Sequence, residues 1–579
     1  MISMSVLGVH DAHDAGAALV SNGNVVGAVN EERFTKKKND VGFPSNAIKW
    51  MLSASEDDVE KVAIPWIGGS ALFARVFPSL EKKRRSLWRK EGKKPSRLKM
   101  EFTNAVFRLI QDQKPRALWQ MAGKSIGGNI LSGKLRKLGI DKKLVFVEHH
   151  LAHAASAYYA SGFDEALVIT LDGAGDGLSG TVSIGDKGEL KRINEFKASA
   201  SIGLLYGAAT LACDMRFSED EGKLMSLAAY SYPSEIKELE KFVRYDEESK
   251  QLVSSTGTKY EFLLSEYLKD NILWKYNREA FAFAVQRHVQ EQVLKIVKNY
   301  IKETKIRNIA VSGGFFSNII TNMFINELPE VKDFFIFPQM GDGGLALGAA
   351  YYADFQEHRR FNRKQVESIY YGPEYTNAEI EVALKKYAKE KKVKYREVKD
   401  IARYTAEQIA EENRIVLWFQ GRMEYGPRAL GNRSVLTLAS TPENRNEINL
   451  IIKKRPYFQP FASSVLEEDA KSLLDPYPRK NRFMTAGYRV RPERFGDLVA
   501  ASHIDKTTRP QVLGKENTLY RELLLQIKKK VGYGALLNTS FNKHGIPIVM
   551  TPDDALWTLE NTGAKYLAIG NFFVEKATK

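Results

Sequence analysis

The chain holds one cysteine, Cys213, in 579 residues. That excludes an internal disulfide framework, suits a reducing compartment, and leaves any metal to nitrogen and oxygen ligands. Long apolar runs are missing too: none approaches the roughly 20 residues that span a bilayer. The opening MISMSVLGVHDAHDAG carries neither a basic lead nor a signal-type apolar segment, so a cytoplasmic protein is expected. No internal repeat at solenoid spacing and no low-complexity tract is present. What remains is ordinary globular composition, 44% apolar and 27% charged, on a chain too long for a single core.

Acidic charge is short. The net charge is +16, and residues 82–99, KKRRSLWRKEGKKPSRLK, carry ten Lys or Arg against one acid, Glu91. A solvated basic helix and loop is the plain explanation, with association to an anionic surface, acidic substrate or partner as the alternative. Nucleic acid is least favoured, because no recognised nucleic-acid motif accompanies the charge.

Short strands and turns open the chain, with an SNGN turn between two of them. From about 145 the pattern recurs: KLVFVEHH as a strand, a helix from 149, then EALVITLDGAGDG as strand and Gly-rich loop, and GTVSIGDKGELKRI as a hairpin. AFAVQRHVQEQVLKIVKNYIKET repeats apolar residues at helical spacing. Two such openings followed by crossover helices predict a duplicated α/β domain over 1–360, a polar linker at 361–374, and a second α/β domain over 375–579. Thr376 and Glu379 have the spacing of a capping box at the start of that domain.

Histidine is scarce, nine in all, yet three fall at 149, 150 and 153. On a helix His149 and His153 project about 40° apart, whereas His150 points about 100° away and is expected to be structural. Imidazoles at i and i+4 form a metal platform that needs further ligands. Asp172, ending an apolar strand, and Asp342 in QMGDGGLALG are the candidates. Such a nitrogen–oxygen set suits Fe(II), Mn(II) or Zn(II) alike. Paired structural histidines on a helix are the competing explanation.

Glycine-rich turns follow two predicted strands, with Gly173 and Gly175 in DGAGDG and Gly313 and Gly314 with Asn318 in SGGFFSN, and another precedes a predicted helix, with Gly343 in GDGGLALG. Such turns let backbone N–H groups approach an anion, and predict a nucleotide phosphate cradle. The second domain gathers cations: Arg422, Arg428 and Arg433 in QGRMEYGPRALGNRSVL, Lys453, Lys454 and Arg455 in KKRPYFQPF, and Arg509. With the donors Asn538 and Ser540 they predict a hollow for phosphates or carboxyls.

These motifs, in order, resemble the NodU/CmcH family of carbamoyltransferases nearly end to end. The carriers are AHDAGAAL, NEERFTKKKNDVGFP, EHHLAHAASAYYASGF, DGAGDG, EGKLMSLAAY, GDGGLALGAA, GRMEYGPRALGNRS, RPQVL and LNTSFN. The resemblance implies an actin-like ATPase (ASKHA, TsaD-like) first domain and a YrdC-like second domain. It implies that the second domain converts carbamoyl phosphate and ATP, with Mg(II), into carbamoyl-adenylate. The first domain would then pass the carbamoyl group to an acceptor hydroxyl of a small molecule or glycan. By motif, His149, His153, Asp172 and Asp342 fall on the ligands of an Fe(II) or other divalent ion, and His13 on a general base. Lys454, Arg455, Arg428, Arg433, Asn538 and Ser540 are expected to meet carbamoyl phosphate and ATP, with Arg422 and Arg509 beside them. Three positions depart from the family pattern: Asn39 stands where a histidine is usual, Gln459 where an arginine is, and Ile546 where an acid is. Two other functions are weighed: tRNA threonylcarbamoyl-type modification, since both domain types occur in that synthesis, and a non-catalytic nucleotide-dependent binding protein.

Overall fold

The structure is a computed structural model that describes residues 4–55, 57–89, 95–111, 116–256, 260–361, 364–390 and 392–577. Residues 90–94 of the basic stretch and 362–363 of the expected linker lie outside the described residues. Two compact units emerge: Met1–Glu31 with Asn39–Val366, and Glu32–Lys38 with Glu367–Lys579.

The first unit contains one topology twice. The first sheet has strands β1 (Met4–His10), β2 (Gly16–Ser21), β3 (Asn24–Asn30), β4 (Asp58–Pro65) and β5 (Lys143–Val147), in the order β3-β2-β1-β4-β5. The second has β6 (Glu165–Gly175), β7 (Leu178–Asp186), β8 (Glu189–Lys197), β9 (Asn308–Ser312) and β10 (Asp333–Ile336), in the order β10-β9-β6-β7-β8. In each, the first three strands form an antiparallel meander and the last two run parallel to the first. Both meanders turn where the sequence says they should. Asn22–Gly23 and Lys187–Gly188 all have positive φ, the backbone that a tight two-residue hairpin needs.

Between β4 and β5 the chain inserts helices α1 (Gly69–Val76), α2 (Pro78–Trp88), α3 (Arg97–Gln111), α4 (Arg116–Ala122) and α5 (Gly128–Arg136). The later helices of this unit include α6 (His149–Ser161), α7 (Ile202–Ala212), α8 (Glu221–Ala228), α9 (Arg278–Thr304) and α10 (Leu345–His358). Helix α10 packs on β1, β2 and β4, α6 packs on β6 and β9, and the two helices pack on each other. Small residues allow that inner layer: a Cβ at Gly348 would lie 2.0 Å from the carbonyl of Ala152. This duplicated βββαβαβ-like plan, with a helix of each half at the centre, is the α/β actin-like architecture the sequence implied.

The second unit is built on one eight-stranded mixed sheet. Its strands are β11 (Val393–Glu397), β12 (Val416–Phe419), β13 (Arg433–Leu438), β14 (Ala462–Leu466), β15 (Pro510–Leu513), β16 (Ala535–Ser540), β17 (Tyr566–Ile569) and β18 (Phe572–Lys576). Their order is β11-β18-β17-β12-β13-β16-β14-β15. Helices α11 (Ile401–Ala410) and α12 (Thr518–Val531) pack on each other and bury Ile409, Tyr520, Leu523 and Ile527 with Trp418 and Leu436 of the sheet. The capping box at Thr376 and Glu379 forms as its spacing predicts.

One segment lies where the sequence did not suggest. Glu32–Lys38 belongs to the second unit. There Phe34 packs on Met423, Ile548 and Met550, Arg33 Nη2 donates to the carbonyl of Gly426 at 2.8 Å, and Lys36 pairs with Asp554.

Candidate active site and metal centre

The first site lies where the second sheet's central strands end. Glu148 caps α6, its carboxylate accepting the Leu151 N–H at 2.9 Å. The backbone N–H of His149 is fixed by Asp176, whose carboxylate also accepts from Ile67 and Gly68. Sequence reasoning overlooked Asp176, although it lies inside DGAGDG. Its signal is an acid four residues beyond the strand-end aspartate, buried at a positive φ.

With α6 so fixed, His149 and His153 turn their Nε2 atoms to one point. Asp172 Oδ2 lies 3.3 Å from His149 Nε2 and 3.2 Å from His153 Nε2. Asp342, at the start of the turn leading into α10, brings Oδ1 to 3.7 and 3.4 Å from the same two nitrogens. One donor atom from each of the four residues lies within 4.8 Å of all the others. Ligands at about 2.1 Å from one ion, at tetrahedral to octahedral angles, are themselves about 3.0–3.4 Å apart. Three of the four His–Asp distances fall in that range and the fourth just beyond it, so a small inward adjustment of these side chains would let two nitrogens and two oxygens hold a divalent ion. Burial makes packing here exacting: a Cβ at Gly175 would lie 2.2 Å from the His149 ring.

The electrostatics follow from the same arrangement. Burial pushes the Asp172 and Asp342 carboxyls upward, joined at Asp172 by the Asp342 charge, yet the facing imidazoles hold both below the usual carboxylate range. Burial disfavours the His153 imidazolium, but the two carboxylates overcome it and raise that ring to about 9. His150 is different. Buried, with Nε2 3.2 Å from the Leu178 carbonyl and Nδ1 2.9 Å from the Thr170 hydroxyl, it is pushed down to about 3 by desolvation and then by His149. It is a neutral structural ring, as its helical phase predicts.

Asp342 faces two ways. Its second oxygen, Oδ2, lies 2.8 Å from His13 Nε2, and His13 Nδ1 is 3.2 Å from Asp14 Oδ2. Burial and the Arg85 cation disfavour the His13 imidazolium, while Asp342 and Asp14 raise it to about 9. The loop bearing His13 is braced from behind, since Arg75 of α1 grips Asp11 through Nε and Nη2 at 2.8–3.2 Å.

The second unit gathers three cations at the ends of neighbouring strands. Arg509 precedes β15, whose Pro510 pairs with Ser463 of β14, and Ala462 pairs with Asn538 of β16. Arg428 and Arg455 come from the loops before β13 and β14. Arg428 Nε, Arg509 Nε and Arg455 Nη2 are buried without a hydrogen-bond partner. Desolvation lowers Arg428 and Arg455 to about 10, and the fields of these two add to the lowering of Arg509. Asn538 Oδ1 and Gln459 Oε1 are likewise buried and unpaired. Neighbouring guanidinium groups with buried, unpartnered nitrogens are the kind of set that could hold an oxyanion.

The comparisons with known proteins agree on one family. Residues 5–351 match the description "Carbamoyltransferase N-terminus" and residues 406–576 match "Carbamoyltransferase C-terminus". The chain belongs to the carbamoyltransferase family. Among its relatives, the protein MJ1051 of Methanocaldococcus jannaschii is 32% identical over 99% of each chain. Nodulation protein NolNO of Sinorhizobium fredii is 30% identical over 98% of this chain and 79% of its own. Nodulation protein NolO of Bradyrhizobium diazoefficiens is 34% identical over 74% of this chain and 79% of its own.

In this carbamoyltransferase several expected contacts take a different form. Arg433 is fully buried, stacks over Phe419 at 3.6 Å, and commits both terminal nitrogens to the carbonyls of Gln420, Asn432, Gly421 and Pro373, leaving its Nε buried without a partner. Arg422 likewise donates to the carbonyls of Tyr371 and Gly372. Lys454 is exposed, because a π-helical turn ends there with a left-handed residue, at φ 50°. Its neighbour Lys453 takes the inner position, donating to the carbonyls of Ser540 and Asn542 and to Asn542 Oδ1, with its ammonium disfavoured first by burial and then by Arg455. Ser540 Oγ donates to Asn542 Oδ1 at 2.8 Å, and Asn538 Nδ2 to Ser464 Oγ at 2.9 Å.

The first unit's glycines also differ from an open phosphate cradle. Gly175 adjoins the His149 ring. A Cβ at Gly313 would lie 2.1 Å from the Leu171 carbonyl, one at Gly314 3.0 Å from Asp172 Oδ1, and one at Gly343 2.4 Å from Gln339. These three bring backbone close to the His149, His153, Asp172 and Asp342 group and its supports, while Gly173 has room, with Leu204 at 3.7 Å. Asn318 caps the following helix by accepting the Thr321 N–H, and its amide pairs with Gln286, so it faces no open cradle. No helix among the described residues is long and apolar enough to cross a membrane.

Proposed function

We propose that this carbamoyltransferase makes carbamoyl-adenylate from carbamoyl phosphate and ATP in its second unit and transfers the carbamoyl group to an acceptor hydroxyl in its first. In the second unit, water cleaves carbamoyl phosphate to carbamate and phosphate. A carbamate oxygen then attacks the α-phosphorus of ATP and displaces pyrophosphate. In the first unit, the acceptor oxygen attacks the carbamoyl carbon, its proton leaves to a base, and AMP departs. The acceptor is a small molecule or a glycan bearing a free hydroxyl.

The observation that carries this reading is the set of unpartnered nitrogens on Arg428, Arg455 and Arg509. Buried guanidinium groups that repel one another are stable as a set only when an anion joins them, and carbamoyl phosphate or the phosphates of ATP supply it. Asn538 and Lys453 border the same strand ends and orient the neutral part of the ligand.

For transfer, His13 acts after its imidazolium, which Asp342 and Asp14 favour, has given up the Nδ1 proton; the ring then keeps its Nε2–H donated to Asp342. Nδ1 then accepts the proton of the acceptor hydroxyl, and Asp14 beside it stabilises the imidazolium that results. His149, His153, Asp172 and Asp342 would hold a divalent ion, Fe(II) being the family's, which polarises the carbamoyl carbonyl as a Lewis acid. Asp342 thus fixes the base and the metal set relative to each other.

The test is carbamoyl phosphate-dependent release of pyrophosphate from ATP with Fe(II) present. Wild type and His13→Ala should both release it, whereas Arg509→Met should not. Absence of release from wild type that binds ATP would sink the adenylate reading.

A further inference from the structure

The helical insertion α1–α5 poses a problem that the transfer reaction does not resolve. Residues 69–136 contain seventeen Lys or Arg and four acids, a net of +13 out of the whole chain's +16. Part of this charge anchors the insertion. Glu81 is buried between Arg84 and Arg85, Arg84 also reaches Glu261, and both guanidinium groups lie over the Trp88 ring at 4.5 and 3.8 Å. Lys82, Lys83, Arg97, Lys99, Arg108 and Lys124 are exposed instead.

Large apolar side chains are exposed on the same helices. On α3, Leu98 is 78% exposed, Phe102 70% and Leu109 69%. At 100° per residue these three fall within about 40° of one another, so they form one stripe. The opposite side of α3 is the packed one: Met100 is buried, and Asn104 accepts the Tyr260 N–H at 2.8 Å. Leu118 and Met121 of α4 and Leu80 of α2 are exposed too. Helix α1 packs against α2, α3 and α4 and holds them together. A soluble surface scatters single apolar residues, and a helix normally turns its apolar stripe inward. Here a stripe faces outward amid exposed lysines and arginines.

We propose that this insertion is a docking surface for an anionic lipid bilayer, lying in the interface with Leu98, Phe102 and Leu109 in the acyl boundary and the basic side chains at the headgroups. Outward apolar residues flanked by cations are what an interfacial helix presents, and none of these helices is of spanning type. Charge complementarity selects the occupant. A second copy would bring +13 against +13 across a two-fold contact, and a nucleic acid would leave the aliphatic stripe unused. The seat adjoins the catalytic loop through the Arg75–Asp11 pair.

The test is cosedimentation of the full chain with phosphatidylcholine vesicles, with and without a third of phosphatidylglycerol. Binding is expected only with the anionic lipid, falling with added salt, and weakened about tenfold or more by the double change Phe102→Ser, Leu109→Ser. Both sites are exposed, so the variant should keep its melting temperature, and pyrophosphate release in solution should not change. Equal recovery with both vesicle types, or equal binding by the variant, would overturn the proposal. So would a dimer in light scattering, or RNA retention, that the variant abolishes while vesicle binding is absent.

Discussion

Arg509→Met removes one of three cations held together without a counter-ion. Desolvation has moved Arg428 and Arg455 from 12.5 to about 10. Burial of this depth disfavours the charged form by an amount on the order of 3 kcal/mol at each site. Arg509 is lowered further, by burial and by both neighbours. Solvent reaches part of each side chain, which screens the repulsion, so about 2 kcal/mol is a reasonable gain on replacing Arg509 with an apolar residue of similar length, within the range of about 1–4 kcal/mol seen for buried charges. For a domain of about 200 residues this raises the melting temperature by about 4–8 °C. Ligand reverses the ranking. Phosphate or carbamoyl phosphate at about a hundred times its dissociation constant stabilises wild type by about 2.7 kcal/mol and the variant little. Differential scanning fluorimetry with and without the anion measures both effects. An Arg509→Met protein that melts below wild type without ligand, and still shifts fully with phosphate, would refute the receptor and make Arg509 a structural residue.

Arg433→Met should behave in the opposite way, losing about 3–5 kcal/mol with or without anion, because the carbonyls of Gln420, Gly421 and Asn432 lose a buried partner; urea unfolding checks it. Asp342→Asn should weaken binding of Fe(II) or its surrogate Co(II) by ten- to a hundredfold, read from the Co(II) absorption bands, while phosphate-induced stabilisation of the second unit is unchanged. Gly175→Ala should weaken the same metal binding, since the added Cβ meets the His149 ring at 2.2 Å. Glu221, which begins α8, is raised from 4.5 to about 7, chiefly by burial and then by the Asp220 and Glu219 carboxylates against the opposing backbone N–H groups. The folded state therefore binds the proton more tightly than the unfolded one. The stability this gives is present below pH 4.5 and is lost as pH rises toward 7, by at most about 1.4 kcal/mol per pH unit. Glu221→Gln should flatten that slope in denaturant titrations between pH 5 and 7, and an unchanged slope would show the carboxyl to be charged throughout.

The sequence by itself determined whatever depends on near neighbours. The spacing of His149 and His153 puts both imidazoles on one helical face and turns His150 away, because 3.6 residues per turn allow nothing else. Asn22–Gly23 and Lys187–Gly188 dictate tight hairpins, and Thr376 with Glu379 a helix start. The apolar run before Asp172 predicts a strand end there, but β6 continues to Gly175 and Asp172 sits where its pairing with β7 is interrupted after Leu171; the motif order announces the family. What only the tertiary structure decided is which of several chemically equal groups faces a ligand. Arg422, Arg428, Arg433, Arg455 and Arg509 are indistinguishable as residue types. Strand pairing among β13, β16, β14 and β15 leaves nitrogens of Arg428, Arg455 and Arg509 unpartnered, while loop carbonyls take up Arg422 and the terminal nitrogens of Arg433. A left-handed turn at Lys454 exchanges it with Lys453. Asp342 joins His13 to the histidine pair across more than 300 residues, and Glu32–Lys38 packs with a unit that begins again only at Glu367. Long-range register, not local periodicity, sets these contacts, because a guanidinium group is drawn equally to a carbonyl and to a phosphate until the surrounding chain places one of them within reach.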